Sequence, residues 1–232
     1  MLAKAVNPYV TGHVHAQLSP RYAYSVSKSL AHAHRLIDLF TKHGIPANRV
    51  CLKIPSTGAG LVTCAQLQKE GFNTLATTLF SVDQAVAAVQ AGCYYIAPYF
   101  NELSVHYDPE TWVDYGDDTA DKHPMCPVIR DIVEMYRVLE KKPLVMPARS
   151  AMVSSILDSR LIDSIVTTKE ALAISTLGVD HITISGTVLK ALAEDKNVAH
   201  FRGDDLDVHV KQSKAKVAGR GQSGPLERGY IR

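Results

Sequence analysis

Apolar and polar positions in this chain fall into two alternating periods. His13, His15 and Gln17 share one phase and Val14, Ala16 and Leu18 the other, so residues 13–18 are expected to form a strand. Residues 25–43 switch to helical spacing, with Leu30, Leu36, Ile37 and Phe40 on one side, and Gly44 and Pro46 close that pattern. Residues 49–57 form a short apolar run interrupted by Lys53. Within it Val50, Leu52 and Ile54 face one way, and Cys51 and Lys53 face the other. Thr57 is placed to cap a helix that runs to Glu70 and stops at Gly71. Ser56 is read as part of the same cap.

The alternation continues. Residues 73–77 are expected as a strand, and Ser81 and Gln84 are spaced as a capping box for a helix to about Gln90. Residues 93–99 are another strand. A polar connection, 102–127, carries Tyr107, Trp112 and Tyr115 and is too long for a turn. Then come a helix (128–139), a strand (143–148), one short helix within 151–164, a helix (168–177), a strand (181–185) and a helix (188–194). Six strand–helix units in succession imply an α/β fold on a parallel sheet, either doubly wound or closed. A finished barrel needs eight strands. The expected fold is therefore a TIM-type (β/α) barrel, incomplete at the N-terminus, with about six of eight strands. Residues 1–200 are expected as a single domain and 201–232 as a polar, flexible tail.

Composition narrows the function classes. A net charge of +2 argues against nucleic acid or an anionic membrane as partner. No apolar run is long enough to span a bilayer, and Met1 does not open a signal-peptide pattern. The four cysteines form no CxxC and read as small core residues, so a cytoplasmic location is expected.

Lys53 is the residue whose placement demands chemistry. Burial disfavours an ammonium, and a chain tolerates that cost where a neutral amine is useful, as in imine formation with a carbonyl. Lys53 reaching solvent at the strand end, or pairing with a carboxylate, is the simpler reading of the strand alone. His13 and His15 also suggest a metal-dependent hydrolase barrel, but no aspartate follows Ile184 at a later strand end.

The residues from Val50 to Thr57 with Gly60, those from Glu70 to Ser81, and Ala91–Gly92 with the run from Ile96 to Asn101 resemble the transaldolase family, including its fructose-6-phosphate aldolase branch. The resemblance covers about 13–194 and weakens after Pro147. It implies an eight-stranded α/β barrel in which Lys53 matches the Schiff-base lysine. It implies transfer of a three-carbon dihydroxyacetone unit from a ketose phosphate to an aldehyde in carbohydrate metabolism. Release of free dihydroxyacetone, or a truncated non-catalytic protein, are the alternatives. Gln17 matches the residue that helps hold the catalytic water, and Thr77 the proton-relaying threonine. Ala97 and Tyr99 match pocket walls. Arg149 and Ser150 lie where a phosphate-binding motif is expected. No cofactor or metal is implied; the partners are small sugar phosphates, and oligomerisation could cover open sheet edges. Three departures stand out: the first-strand aspartate has no counterpart, Glu102 replaces a phosphate-binding arginine, and Ala151 replaces another.

Overall fold

A computed structural model describes residues 2–106, 108–147 and 165–194. Five strands form one sheet: β1 (Val14–Gln17), β2 (Val50–Pro55), β3 (Asn73–Leu79), β4 (Tyr95–Pro98) and β5 (Leu144–Val145). Their order in the sheet is their order in the chain. β1 with β2, and β2 with β3, pair in parallel. A doubly wound sheet reverses direction at a switch point; this order has no reversal, as in a barrel. The expected strand at 181–185 is not a regular strand. Asp180 and His181 donate to the Val145 carbonyl, and Thr183 donates to that of Pro147, so the segment follows β5 without forming a ladder. The short helix expected within 151–164 and the tail at 201–232 lie outside the described residues.

Among the described residues eight helices accompany the strands: α1 (Leu2–Val6), α2 (Val26–Lys42), α3 (Gly58–Lys69), α4 (Val82–Gln90), α5 (Thr119–Lys122), α6 (Met125–Arg137), α7 (Thr168–Ser175) and α8 (Gly186–Glu194). The N-terminal residues, where no element was expected, form α1. The long connection after β4 is partly helical, with short 3-10 turns leading into α5.

The chain divides into two compact units. One takes in residues 1–97 and 140–144, the other the described residues of 98–139 and from 145 on. In the first, α2 buries Ser29, Ala33, Ile37 and Phe40, a stripe at helical spacing. The helix stops because Gly44 adopts φ +81°, which lets the Ile45 N–H reach back to the Phe40 carbonyl. Val50, Leu52 and Ile54 are buried, and β2 contacts both α2 and α3. Each such side chain contributes about 1.5–3 kcal/mol through burial.

α3 starts directly beneath the end of β2. Thr57 accepts the Gly60 N–H at 3.0 Å and donates its hydroxyl to the Ala23 carbonyl. A Cβ on Gly60 would stand 1.9 Å from the Pro55 carbonyl oxygen, so only glycine lets the helix approach the strand this closely. Ser56 does not cap. Its N–H and its hydroxyl both donate to the Thr77 carbonyl, each at 2.7 Å, carrying the β2–β3 connection one residue past the last paired strand position.

In the second unit, a buried carboxylate fastens the long connection. Glu170 accepts from Asn101 Nδ2 and Trp112 Nε1, both at 3.0 Å, and from the Val166 N–H at 2.5 Å. His123 stacks on Phe100 with ring centroids 3.7 Å apart. Its Nδ1 accepts from the Met125 N–H at 3.2 Å, so Nε2 carries the proton and donates to Asn101 Oδ1, also at 3.2 Å. Burial pushes the His123 pKa down to about 4, which keeps that tautomer neutral.

The approach at Gly60 is directly testable. Gly60→Ala is expected to lower unfolding stability by about 2 kcal/mol or more, because the added methyl meets rigid backbone. Gly58→Ala, where a Cβ meets nothing within 4 Å, is expected to be neutral or slightly stabilising. Urea denaturation of both variants separates the two.

Candidate active site

The residues that face Lys53 are set by strand register. Gln17 in β1 and Leu75 in β3 are its partners on either side, and Thr77 pairs with Pro55 at the end of β2. Side chains two apart on a strand share a face, so Cys51, Lys53, Asn73, Leu75 and Thr77 share theirs with His13, His15 and Gln17. That face is concave. His13 lies on the chain just before β1, yet its ring centroid is 5.1 Å from that of Tyr94 and 5.9 Å from that of Tyr95, at the start of β4. His15 meets Tyr95 at 5.4 Å. Strands β1 and β4 are not neighbours in the sheet, so these ring contacts require it to curl.

His13 is also held by Asn73 Nδ2, 3.1 Å from its Nε2, and by the Tyr95 hydroxyl, 3.3 Å from its Nδ1. Burial, helped by the nearby Arg49 cation, lowers its pKa. The aromatic cluster therefore lies at the end of the concave face where the strands begin, and Lys53 stands toward the end where they finish. Among the described residues no group of three or more His, Cys, Asp or Glu side chains is placed to hold a metal ion. The four cysteines are free and buried.

Lys53 is partly buried, and removal from water brings its pKa down to about 8. The ordinary lysine value is 10.5, so Lys53 supplies far more neutral amine at neutral pH. Thr77 is fully buried. Its carbonyl receives the two Ser56 donors and also the Thr78 hydroxyl at 2.6 Å. Thr78 has φ +51°, the only non-glycine residue with positive φ among those described. Gln17 shares the register of Lys53 but is exposed, because β1 is the edge of the five-stranded sheet. Ala97 is buried in β4. Tyr99 is buried in the second unit, just past β4. Glu102 is exposed, and its carboxylate accepts the Ser104 hydroxyl at 3.3 Å. Arg149 and Ser150 lie outside the described residues.

The family profile described as Transaldolase/Fructose-6-phosphate aldolase matches residues 1–220. The chain belongs to this family. A transaldolase of Haemophilus ducreyi is 28% identical over 221 residues, covering 94% of this chain and 64% of the relative. One of Shewanella oneidensis is 29% identical over 196 residues, covering 83% of this chain and 61% of the relative. A transaldolase of Shewanella denitrificans reaches 32% identity over 140 residues, 60% of this chain. The chain thus spans less than two thirds of the length of these relatives. The parallel five-stranded α/β sheet is consistent with the TIM-type (β/α) barrel of the family.

Reading along the chain missed Gln84 as anything beyond a cap. The capping box places its amide on the Ser81 N–H; instead its Oε1 accepts the Phe80 N–H at 2.8 Å, and its Nε2 donates to the carbonyls of Ser56 at 3.1 Å and Thr78 at 3.2 Å. Glu170 was missed as well. Its signal was available in Thr167, which accepts the Glu170 N–H at 3.2 Å with capping-box spacing.

The depressed lysine pKa has a stability consequence with a definite sign. Lys53 is held at about 8 in the folded chain and returns to its ordinary value, 10.5, on unfolding. Between these values the unfolded chain binds more protons, so stability rises with pH through that window. Below pH 8 the full penalty applies, at most on the order of 3 kcal/mol. Lys53→Met is expected to be more stable than the unsubstituted protein at pH 7, with the advantage shrinking from pH 8 toward 10.5. Urea unfolding midpoints across that range check it; a pH-independent difference would place the Lys53 amine in water.

Proposed function

We propose that the chain is a transaldolase-like Schiff-base enzyme acting on a ketose phosphate. The observation that carries this is Lys53, an amine with a burial-lowered pKa on the concave face of a sheet in a transaldolase-family chain. In this reading the neutral Lys53 Nζ attacks the ketose carbonyl, and loss of water leaves an iminium. The C4 hydroxyl gives its proton to the bound water as the bond between the third and fourth sugar carbons breaks. The bond's electron pair moves into the iminium to give an enamine, and an aldehyde departs. The enamine adds to an acceptor aldehyde, whose oxygen takes up a proton from that water, and hydrolysis returns the lysine. The positive iminium does the work of a Lewis acid, so the step needs no metal.

Thr77 and Gln17 are assigned to the water that moves protons in imine formation and hydrolysis. Thr77 follows Lys53 by one pair along the face. Gln17 lies beside it in register, on the solvent side. Ala97 and Tyr99 are assigned to the sugar pocket, and Arg149 with Ser150 to the phosphate. Glu102 would repel a phosphate placed against it. That supports a second reading, an aldolase that releases free dihydroxyacetone from substrates bound with little help from phosphate. Both readings belong to sugar metabolism, and a cytoplasmic location is part of the proposal. Among the described residues no helix is long and apolar enough to cross a membrane.

Borohydride reduction in the presence of fructose 6-phosphate, followed by peptide mass spectrometry, tests the proposal. A three-carbon adduct on Lys53, lost in Lys53→Met, is expected. A folded chain that gives no adduct would be a non-catalytic relative. If the adduct forms, turnover with and without an acceptor aldehyde separates transferase from aldolase.

A further inference from the structure

We propose that Gln84 is a positioning residue for the Lys53 reaction, holding Thr77 in place by clamping the ends of β2 and β3 around a strained Thr78. This rests on the Schiff-base reading above. The side-chain amide of Gln84 is fully used, as one acceptor and two donors. Its three partners come from three segments: Phe80 before α4, Ser56 after β2, and Thr78 near the end of β3. A helix cap alone does not need this. Ser81 already accepts the Gln84 N–H at 3.2 Å and caps α4 by itself.

The cost of the arrangement lies at Thr78. A β-branched side chain at φ +51° is disfavoured by about 1–3 kcal/mol and persists only where neighbouring contacts impose it. The contacts that impose it are the Gln84 amide on the Thr78 carbonyl and the Thr78 hydroxyl on the Thr77 carbonyl. The same Thr77 carbonyl holds both Ser56 donors. These bonds fix the backbone on the C-terminal side of the Thr77 Cα, and the β2–β3 pairing through Ala76 fixes the side before it. Together they set the direction of the Thr77 side chain, opposite Pro55 and two residues beyond Lys53 along β2. Without the amide, Thr78 can relax to a negative φ. That rotates the peptide linking it to Thr77 and swings the hydroxyl away from its working position. Strain next to a proposed proton-relay residue, enforced by a side chain remote in function, is the signature of a preorganised site.

The test is a mutant cycle on the full chain, with borohydride trapping at Lys53 and turnover measured in parallel. Gln84→Met removes all three bonds at similar volume. Gln84→Glu keeps an acceptor for Phe80 and removes both donors, and serves if the methionine variant does not fold. Either variant is expected to retain the Lys53 adduct at saturating ketose while kcat falls about a hundredfold, the scale of a lost proton-transfer contribution. In a Thr77→Val background the same change at Gln84 is expected to cost less than threefold, because the group it positions is gone. Equal losses in both backgrounds, or unchanged turnover in a folded Gln84 variant, would overturn the assignment and leave the Schiff-base reading standing. An unsubstituted protein that gives no Lys53 adduct would remove both.

Discussion

The Thr77 carbonyl oxygen is the point on which the first unit converges. It accepts the Ser56 N–H, the Ser56 hydroxyl and the Thr78 hydroxyl, all at 2.6–2.7 Å. Parallel strands pair through evenly spaced, slanted bonds that end where the strands diverge. Here the pairing of β2 and β3 is continued past its last ladder position by the N–H and the hydroxyl of Ser56. The exit of β2 is fixed from above by those bonds and from below by the close approach of Gly60. Lys53, two residues before that exit, sits on a length of strand held at both ends. In the proposed Schiff-base reading, such rigidity would favour the narrow geometry in which the amine meets a carbonyl.

The same strand explains why the lysine is unusual. Its neighbours along the chain, Leu52 and Ile54, are buried against helices, while its own face carries Cys51, Leu75 and the aromatic cluster farther back. A cation on that face is short of water without lying in the hydrophobic core, which lowers its pKa while leaving it reachable. Gln17, in register and exposed, marks the side from which solvent arrives.

Much of this was legible in the sequence. The two phases of β2 separated Lys53 from its apolar neighbours correctly, because a strand's period admits only two faces. The positions of β1, β3 and β4 and of the helices α2, α3 and α4 followed from similar patterns and from capping residues. Less legible was whatever depends on what lies beside an element. Residues 181–185 have a strand's composition, but His181 and Thr183 donate to the carbonyls of Val145 and Pro147 without forming a regular strand. Gln17 has the inward phase, yet phase does not say whether another strand covers it. Glu170 reaches partners 69 and 58 residues away, which no local window contains. Gln84 obeys the spacing of a capping box while its amide serves three other groups, a choice that only the tertiary arrangement decides.

Gln84 and Glu170 occupy equivalent places. Each is the third residue of its helix, behind an N-cap of Ser81 or Thr167. Each accepts the N–H of the residue preceding that cap, Phe80 or Val166, and each then reaches into distant chain. The first turns of α4 and α7 are therefore fasteners as well as helix ends. Fraying of the α4 turn would release Phe80, Ser56 and Thr78 together, and fraying of the α7 turn would release Asn101 and Trp112. Helix ends are ordinarily the first parts of a fold to open and the least consequential. In this chain the opening of two remote segments would be tied to single turns of helix, so each segment and its turn would open as one cooperative event.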